Sequence, residues 1–417
     1  MPTSRTYSFI VAALTLYFFA TTTQIGWLYV MSALLLGMIL AAWMLNRKTL
    51  NGISAAREVG EDLDDQDRET DIHEADTIGI TLTLRNARRI PAAHLRTVEI
   101  CPFAAPGSPE RELKMFAPSL PARGDVTCDY EVIVDRRGLH EFPPLAVASR
   151  APFGFFERRK SLALPTRVLI YPELRKLRRL SLLDNRPSVQ ESRPRAGVGS
   201  EVIGVRPYRS GDSPRHIHWR SVARTGELIS KEFADEARPG LTIALDMLRD
   251  PRPWIDSKHT PYEWAVKAAA SIGEYAQRRN FPLHILADID ALMPPPGPLT
   301  WTALMQYLAR IQPTGTRTLA DVLDNQPVQT LVAALICVPD MAMVNALAGL
   351  HHRGLGVLAV VFDPESFPAG GPSAAPLADA LTAIGIDTRL VRYGDDWTET
   401  LSENDITVGA RHAVPLR

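Results

Sequence analysis

The chain has 417 residues, enough for two or three domains, and sets 46 basic against 47 acidic side chains for a net charge of −1. A balance this close excludes a global field directed at nucleic acid. The three cysteines, Cys101, Cys128 and Cys337, stand far apart, which argues against a disulfide framework or a cysteine zinc cluster and for a reducing compartment.

The first predicted elements are apolar. Residues 6–23 ("TYSFIVAALTLYFFATTT") and 26–45 ("GWLYVMSALLLGMILAAWML") carry no charge, and each is near the roughly 20 residues that cross about 30 Å of hydrocarbon. The alternative is a signal peptide followed by a core helix, yet the second run would remain as an anchor after any cleavage. Trp27, Tyr29 and Trp43 sit near the ends of the second run, where interfacial aromatics belong. Arg5 precedes the hairpin and Arg47 and Lys48 follow it, so positive flanks place everything after Lys48 in the cytoplasm. Residues 1–48 are thus expected to form a transmembrane hairpin.

From 49 to 173 the pattern is short and alternating. "TIGITLTLRN", "HLRTVEICPF", "VTCDYEVIVDRRG" and "LALPTRVLIYP" read as strands between proline and glycine signals, with Tyr130, Val132 and Val134 on one face. Many short strands with no helix between them predict an antiparallel β-sandwich. Residues 174–240 form a basic linker, in which "LRKLRRLSLL" (174–183) predicts a short amphipathic helix. From 241 to 417 strand and helix alternate, and apolar strands such as "GLTIALDM" and "LGVLAVVFD" predict a doubly wound α/β domain with a covered parallel sheet.

The linker contains the stretch densest in specific side chains, "GDSPRHIHWRSVARTGEL" (211–228). His216 and His218 could share a metal, but no third ligand is spaced to join them and Arg215 and Arg220 would repel a cation. Ser213, Ser221 and Thr225 lie in no nucleophile elbow. Arg206, Arg209, Arg215, Arg220 and Arg224 could hold a phosphate or an acidic peptide. The preferred expectation is a rigid connector packed on the α/β domain. Trp219 would be buried, and Asp212 would accept bonds from backbone donors or Arg215, because ordering such side chains is costly unless they satisfy one another.

Residues 205–233 ("VRPYRSGDSPRHIHWRSVARTGELISKEF") resemble the signature of the domain-of-unknown-function 58 family of bacterial membrane-anchored proteins. The likeness runs through Tyr208, Gly211, Asp212, Arg215, Ile217, His218, Trp219, Ala223, Arg224, Thr225 and Gly226. A second match is "RRGLHEFPPLAVASRAPFGFFERR", where Ala151 replaces the family's usual aspartate. The resemblance implies that the α/β part is von Willebrand factor A-like. It also implies a MoxR-type AAA+ ATPase as partner, and often a transglutaminase-like membrane protein.

An A-like domain with an intact adhesion site would hold Mg²⁺ on Asp-x-Ser-x-Ser after its first strand. Here "LDMLRD" keeps Asp246 but places Leu248 and Asp250 at the serine positions; Thr316 and Asp340 fit two further ligand positions. Either these three residues gather round an ion with water, or they are the remains of a degenerate site; the second reading is preferred. The expected protein is a multi-pass, cytoplasm-facing adaptor or scaffold of the bacterial inner membrane. It would work with a MoxR-type ATPase or envelope membrane proteins and perform no catalysis. Tyr208, Gly211, Asp212, Arg215, His218, Trp219, Arg224 and Gly226 would serve structure or partner binding. A hydrolase or metal-dependent ligand binder using the top of the sheet is the alternative.

Overall fold

The computed structural model describes residues 1–60, 71–184, 202–208, 217–233, 240–249, 258–288, 292, 294 and 297–402. The chain divides into two compact units, Met1–Glu173 and Leu174–Arg417.

The first unit opens with helices α1 (Ser4–Thr23) and α2 (Gly26–Asn46), joined at Gln24 with a left-handed φ of 57°. Small residues line their contact. Ala13, Ala20 and Ser32 are buried, and the Ser32 hydroxyl donates to the Ala13 carbonyl at 2.9 Å. Small side chains at a crossing let apolar helices approach closely. The large apolar side chains point away: Leu14, Phe18, Leu34 and Leu40 are exposed.

The rest of this unit is antiparallel. Strands β1 (Ile53–Val59), β2 (Thr77–Asn86) and β5 (Asp125–Ile133) form one sheet in the order β1-β2-β5. Strands β4 (Glu112–Leu120), β3 (Ala92–Ile100), β7 (Leu145–Ser149) and β8 (Arg158–Leu162) form a second, in the order β4-β3-β7-β8. The pair β6 (Gly138–Glu141) and β9 (Arg167–Ile170) completes the set. Period-two alternation decides what is buried. Ile78, Ile80, Leu82 and Leu84 of β2 face inward, and Val132 is buried while its neighbour Ile133 is exposed. Leu82 and Leu84 share a core with Leu95, Leu120, Leu145 and Val147 of the second sheet. Arg57 of β1 ion-pairs with Glu99 of β3, both side chains being buried, and lies over the Phe142 ring at 4.1 Å.

The loop after β7 fastens the helices to the strands. The Asn46 side-chain amide, at the end of α2, donates to the Ala151 carbonyl at 2.8 Å and to that of Phe156 at 3.2 Å. At the start of α1 the Thr3 amide donates to the Phe155 carbonyl at 2.8 Å and its hydroxyl to Gly154 at 2.8 Å. The Thr6 hydroxyl also donates to Phe155. "RAPFGFFE" is therefore a clamp on both helix ends, which gives the second family-like stretch a structural task.

The second unit does not begin with the predicted helix. Only α3 (Ser181–Asp184) is helical; residues 172–180 have no regular secondary structure, and Leu177, Leu180 and Leu183 are buried. Asp184 explains the departure. It accepts from the Tyr275 hydroxyl at 2.6 Å and pairs with Arg279 at 2.7 Å, while the Arg175 amide donates to Ser271 at 3.1 Å. Anchors on one neighbouring helix and its C-cap residue fix a non-helical path, and packing overrides helix propensity.

A small antiparallel pair follows, β10 (Val202–Pro207) with β11 (Ile229–Phe233), separated by α4 (Trp219–Thr225). The main sheet contains β12 (Leu241–Leu245), β13 (Leu283–Leu286), β14 (Leu331–Ile336), β15 (Gly356–Phe362) and β16 (Asp387–Val391). All its pairings are parallel, in the order β13-β12-β14-β15-β16. That is the 2-1-3-4-5 winding of doubly wound folds. The crossovers use α5 (Pro261–Arg278), α6 (Trp301–Arg310), α7 (Leu319–Asn325), α8 (Ala342–His352) and α9 (Ala375–Ala383), with α10 (Trp397–Ser402) last. Helices α7, α8 and α9 share a core with Val332, Ala334, Ala359 and Val361, while α5 packs on α6 and on Ile243 of β12. The sequence reading lacked α7. Its seven residues are capped by the Thr318 hydroxyl, which accepts from the Asp321 amide at 3.2 Å.

Candidate functional site

In a sheet wound 2-1-3-4-5, ligands bind beyond the carboxyl ends of the strands, at the point where the winding reverses. Here that point lies between β12 and β14, and the side chain beyond β12 is Asp246. Four of the five strands run out into an aspartate: Asp246, Asp288, Asp340 and Asp363.

Each is committed to a loop. Asp246 is 3% exposed; Oδ1 accepts from the Leu248 amide at 3.0 Å, and Oδ2 from the amides of Cys337 at 3.1 Å and Val338 at 2.9 Å. Burial raises its pKa against the lowering effect of those three bonds, with the Asp340 charge adding to the rise. Oδ2 of Asp288, buried beyond β13, accepts from the amides of Thr316 at 2.7 Å and Arg317 at 3.0 Å, and its Oδ1 pairs with the Arg317 guanidinium at 2.7 Å. Asp340 accepts from the Ala342 amide at 2.9 Å as the chain enters α8. Asp363 accepts from Ala374 at 2.9 Å, with Arg392 3.6 Å away. Gly315 completes the rim, since its amide donates to the Met247 carbonyl at 2.8 Å and its carbonyl accepts from Arg249 at 3.1 Å.

The three candidate Mg²⁺ ligands all take part in bonding within the chain. Asp246 is directed at backbone amides of the two turns it joins, Thr316 is exposed and engaged through its amide, and Asp340 accepts from the Ala342 amide just before α8. Among the described residues no group of three or more His, Cys, Asp or Glu side chains is placed to hold a metal ion. The carboxylates brace loops. Asp288 and Asp363 escaped the sequence reading, although "LHILAD" and "VVFD" repeat the pattern of "TIALD".

The second candidate is the family-like stretch. Gly211, Asp212 and Arg215 lie outside the described residues, as does His216. Half-buried Tyr208 donates its amide to the Leu228 carbonyl at 2.9 Å, and the His218 amide donates to Ile229 at 2.8 Å. Ile217 pairs with Ser230 and is buried. The chain then turns into α4, with His218 as its N-cap residue; the His218 Nδ1 and Ser221 Oγ atoms lie 2.7 Å apart. Gly226 ends the helix at φ 74°, its amide donating to Val222 at 2.9 Å, in the left-handed cap that glycine adopts freely. Arg224 stands exposed in the last turn, where a cation complements the helix dipole.

Trp219 overturns an expectation. It is 63% exposed. It opens a seven-residue helix whose inward side is only half-buried, at Ser221 and Val222, and the ring is not on that side; the buried anchor is Ile217, two residues earlier. The Ser221–His218 contact is a local one across a single turn, and no carboxylate orients the ring from behind among the described residues.

Residues 204–392 match the family model described as "Protein of unknown function DUF58". A curated relative, the uncharacterized protein YeaD of Bacillus subtilis (strain 168), is 24% identical over 217 residues, covering 51% of this chain and 52% of its own. The chain thus spans about half the length of the curated relative it matches. Among solved structures, GH20 exo beta-N-acetylglucosaminidase from Vibrio harveyi aligns at 10% identity over 75% of this chain and 58% of that one, with a TM-score of 0.20. The alkylpurine DNA glycosylase AlkC of Pseudomonas fluorescens aligns at 12% identity over 33% and 38%, with a TM-score of 0.16. Scores this low support no shared fold.

Proposed function

We propose that this chain, which belongs to the DUF58 family through residues 204–392, is a membrane-anchored adaptor that offers its family segment to a partner and catalyses nothing itself. The observation that carries the proposal is Trp219. A large aromatic ring 63% exposed beside exposed Arg220 and Arg224 has the composition of a recognition hot spot. The strand-end carboxylates support the same reading, because their oxygens hold loops together.

The anchor is the α1–α2 hairpin, set in the bacterial inner membrane with both flanks in the cytoplasm. Its two apolar stretches are only 17% and 11% buried within the protein, so it is no core helix pair. We take the two main antiparallel sheets as layers of a sandwich, supported by their shared core. The α/β part is taken as von Willebrand factor A-like, supported by its parallel winding. The partner is a MoxR-type AAA+ ATPase, with a transglutaminase-like membrane protein as the second candidate.

Affinity recovery of the full-length protein from detergent-solubilised bacterial membranes, read by mass spectrometry, tests this. The wild type should recover the ATPase. Trp219→Ala should lose it while its melting temperature stays put, because an exposed side chain contributes within about 0.5 kcal/mol. Equal recovery by the variant, or recovery of neither an ATPase nor a membrane protein by the wild type, would overturn the adaptor.

A further inference from the structure

The first unit contains an open cavity of about 720 Å³ at the start of α1. Its lining has four arginines, Arg5, Arg96, Arg150 and Arg159, against one glutamate, Glu157. Arg150 and Arg159 are engaged by that glutamate, Arg150 Nη2 lying 2.6 Å and Arg159 Nε 2.5 Å from its oxygens. Both bonds hold the Glu157 carboxyl below its ordinary pKa. Arg5 and Arg96 have no acidic partner among the described residues. Both are exposed, and the Arg5 Nη1 atom lies close to Gly154, 3.5 Å from where a Cβ would stand.

Two further features belong to the same place. No acidic residue stands in the first turn of α1, and its N-cap Thr3 makes no side-chain capping bond. The helix dipole there favours an anion, and among the described residues Glu157, already paired with two arginines, is the one carboxylate in the lining. Phe116, which pairs across the strands with Arg96, is 57% exposed, and Phe153 in the clamp loop is 49% exposed. Aromatic rings beside unpaired arginines, at the end of an apolar helix, match the headgroup layer of a bilayer, where rings meet acyl chains and cations meet phosphates.

We propose that this cavity binds the headgroup of an anionic phospholipid from the leaflet in which the hairpin is rooted. Arg5 and Arg96 hold the phosphate, and Phe116 and Phe153 lie against the glycerol and the first methylenes. The proposal rests on the reading of α1 and α2 as a membrane hairpin. A second consequence is positional: a lipid held by α1, β3 and the clamp loop together ties the strand layer to the membrane surface at a fixed place.

The test uses full-length protein, delipidated in dodecyl maltoside and offered dioleoyl-phosphatidylglycerol, dioleoyl-phosphatidylcholine or inorganic phosphate, with bound lipid counted by native mass spectrometry. Phosphatidylglycerol should be retained roughly thirtyfold better than phosphatidylcholine, as expected when two arginines each gain about 1 kcal/mol from an anionic headgroup. Arg5→Gln with Arg96→Gln should abolish that preference. The same loss of charge at exposed sites elsewhere, Arg85→Gln with Arg353→Gln, should leave it intact. Equal retention of the two lipids, or equal loss in both double variants, overturns the site. Complete displacement by millimolar inorganic phosphate makes it a soluble-phosphate site and overturns the lipid. An alkaline carbonate wash separates the two readings. Release of the wild type from membranes sinks the hairpin and the lipid site together, whereas retention without lipid preference sinks the lipid site alone.

Discussion

Asp246 looks like a ligand in the sequence and behaves as a brace in the structure. Three backbone amides from two turns point at its carboxylate, so its removal strands one buried and two part-buried donors. Asp246→Ala should destabilise the full-length protein by roughly 3–5 kcal/mol, measured by thermal melting in detergent, since each unsatisfied buried polar group costs about 1–3 kcal/mol before relaxation. Added Mg²⁺ should not raise the melting temperature of the wild type. The pH dependence has a definite sign. A carboxyl whose pKa is higher in the folded chain keeps its proton longer when folded. Its contribution is therefore fully present below the ordinary value of 3.8 and declines as the pH rises through the raised one. Asp246→Asn does not titrate there. The stability gap between wild type and this variant should narrow as the pH climbs from 3.8; a gap that widens would show a carboxyl stabilised as the anion.

At the scale of elements, the top of the α/β sheet depends on close backbone approaches. Gly315 is the tightest. A Cβ there would stand 2.6 Å from the Met247 carbonyl oxygen and 2.9 Å from its carbon, and neither neighbour is a flexible side-chain end. Gly315→Ala must push the loop off the end of β12, where Leu248 pairs with Gly315. The cost should be about 1–3 kcal/mol, and the amides of residues 247–249 and 315–317 should exchange hydrogen faster while those of β14 hold. Uniform faster exchange would mean that the loop is no separate element. The sequence carried the strands and long helices of this unit because buried runs such as "LVAALI" and amphipathic ones such as "YEWAVKAAASIGEYAQR" have distinct periods. It misled at residues 174–183, where the leucines are spaced for a helix but Arg175 and Asp184 anchor the segment on α5. It also misled at Trp219, because a residue's chemistry does not reveal which side of a seven-residue helix it takes. The uses of Asp246, Thr316 and Asp340 were hidden for a related reason: a strand-end carboxylate looks the same whether its partners are amides or a cation.

For the whole molecule, the arrangement of charge at the helix ends has a consequence for topology. Arg5 stands in the first turn of α1 and Arg47 and Lys48 follow α2, whereas the turn at residues 24–25 is uncharged. In the proposed hairpin two spans return the chain to the side on which it began, and the lysine and arginine bias then assigns both charged flanks to the cytoplasm. The clamp agrees with this pairing, since one loop of the β unit touches the start of α1 and the end of α2. A green fluorescent protein fused after Arg417 should therefore fluoresce, and an alkaline phosphatase fused at the same point should be inactive. An alkaline phosphatase inserted between Gln24 and Ile25 should be active, as an export-dependent reporter in the uncharged turn. Strong phosphatase activity from the fusion at 417 would invert the topology, and equal reporter activity at both points would show that α1 and α2 do not cross as a pair.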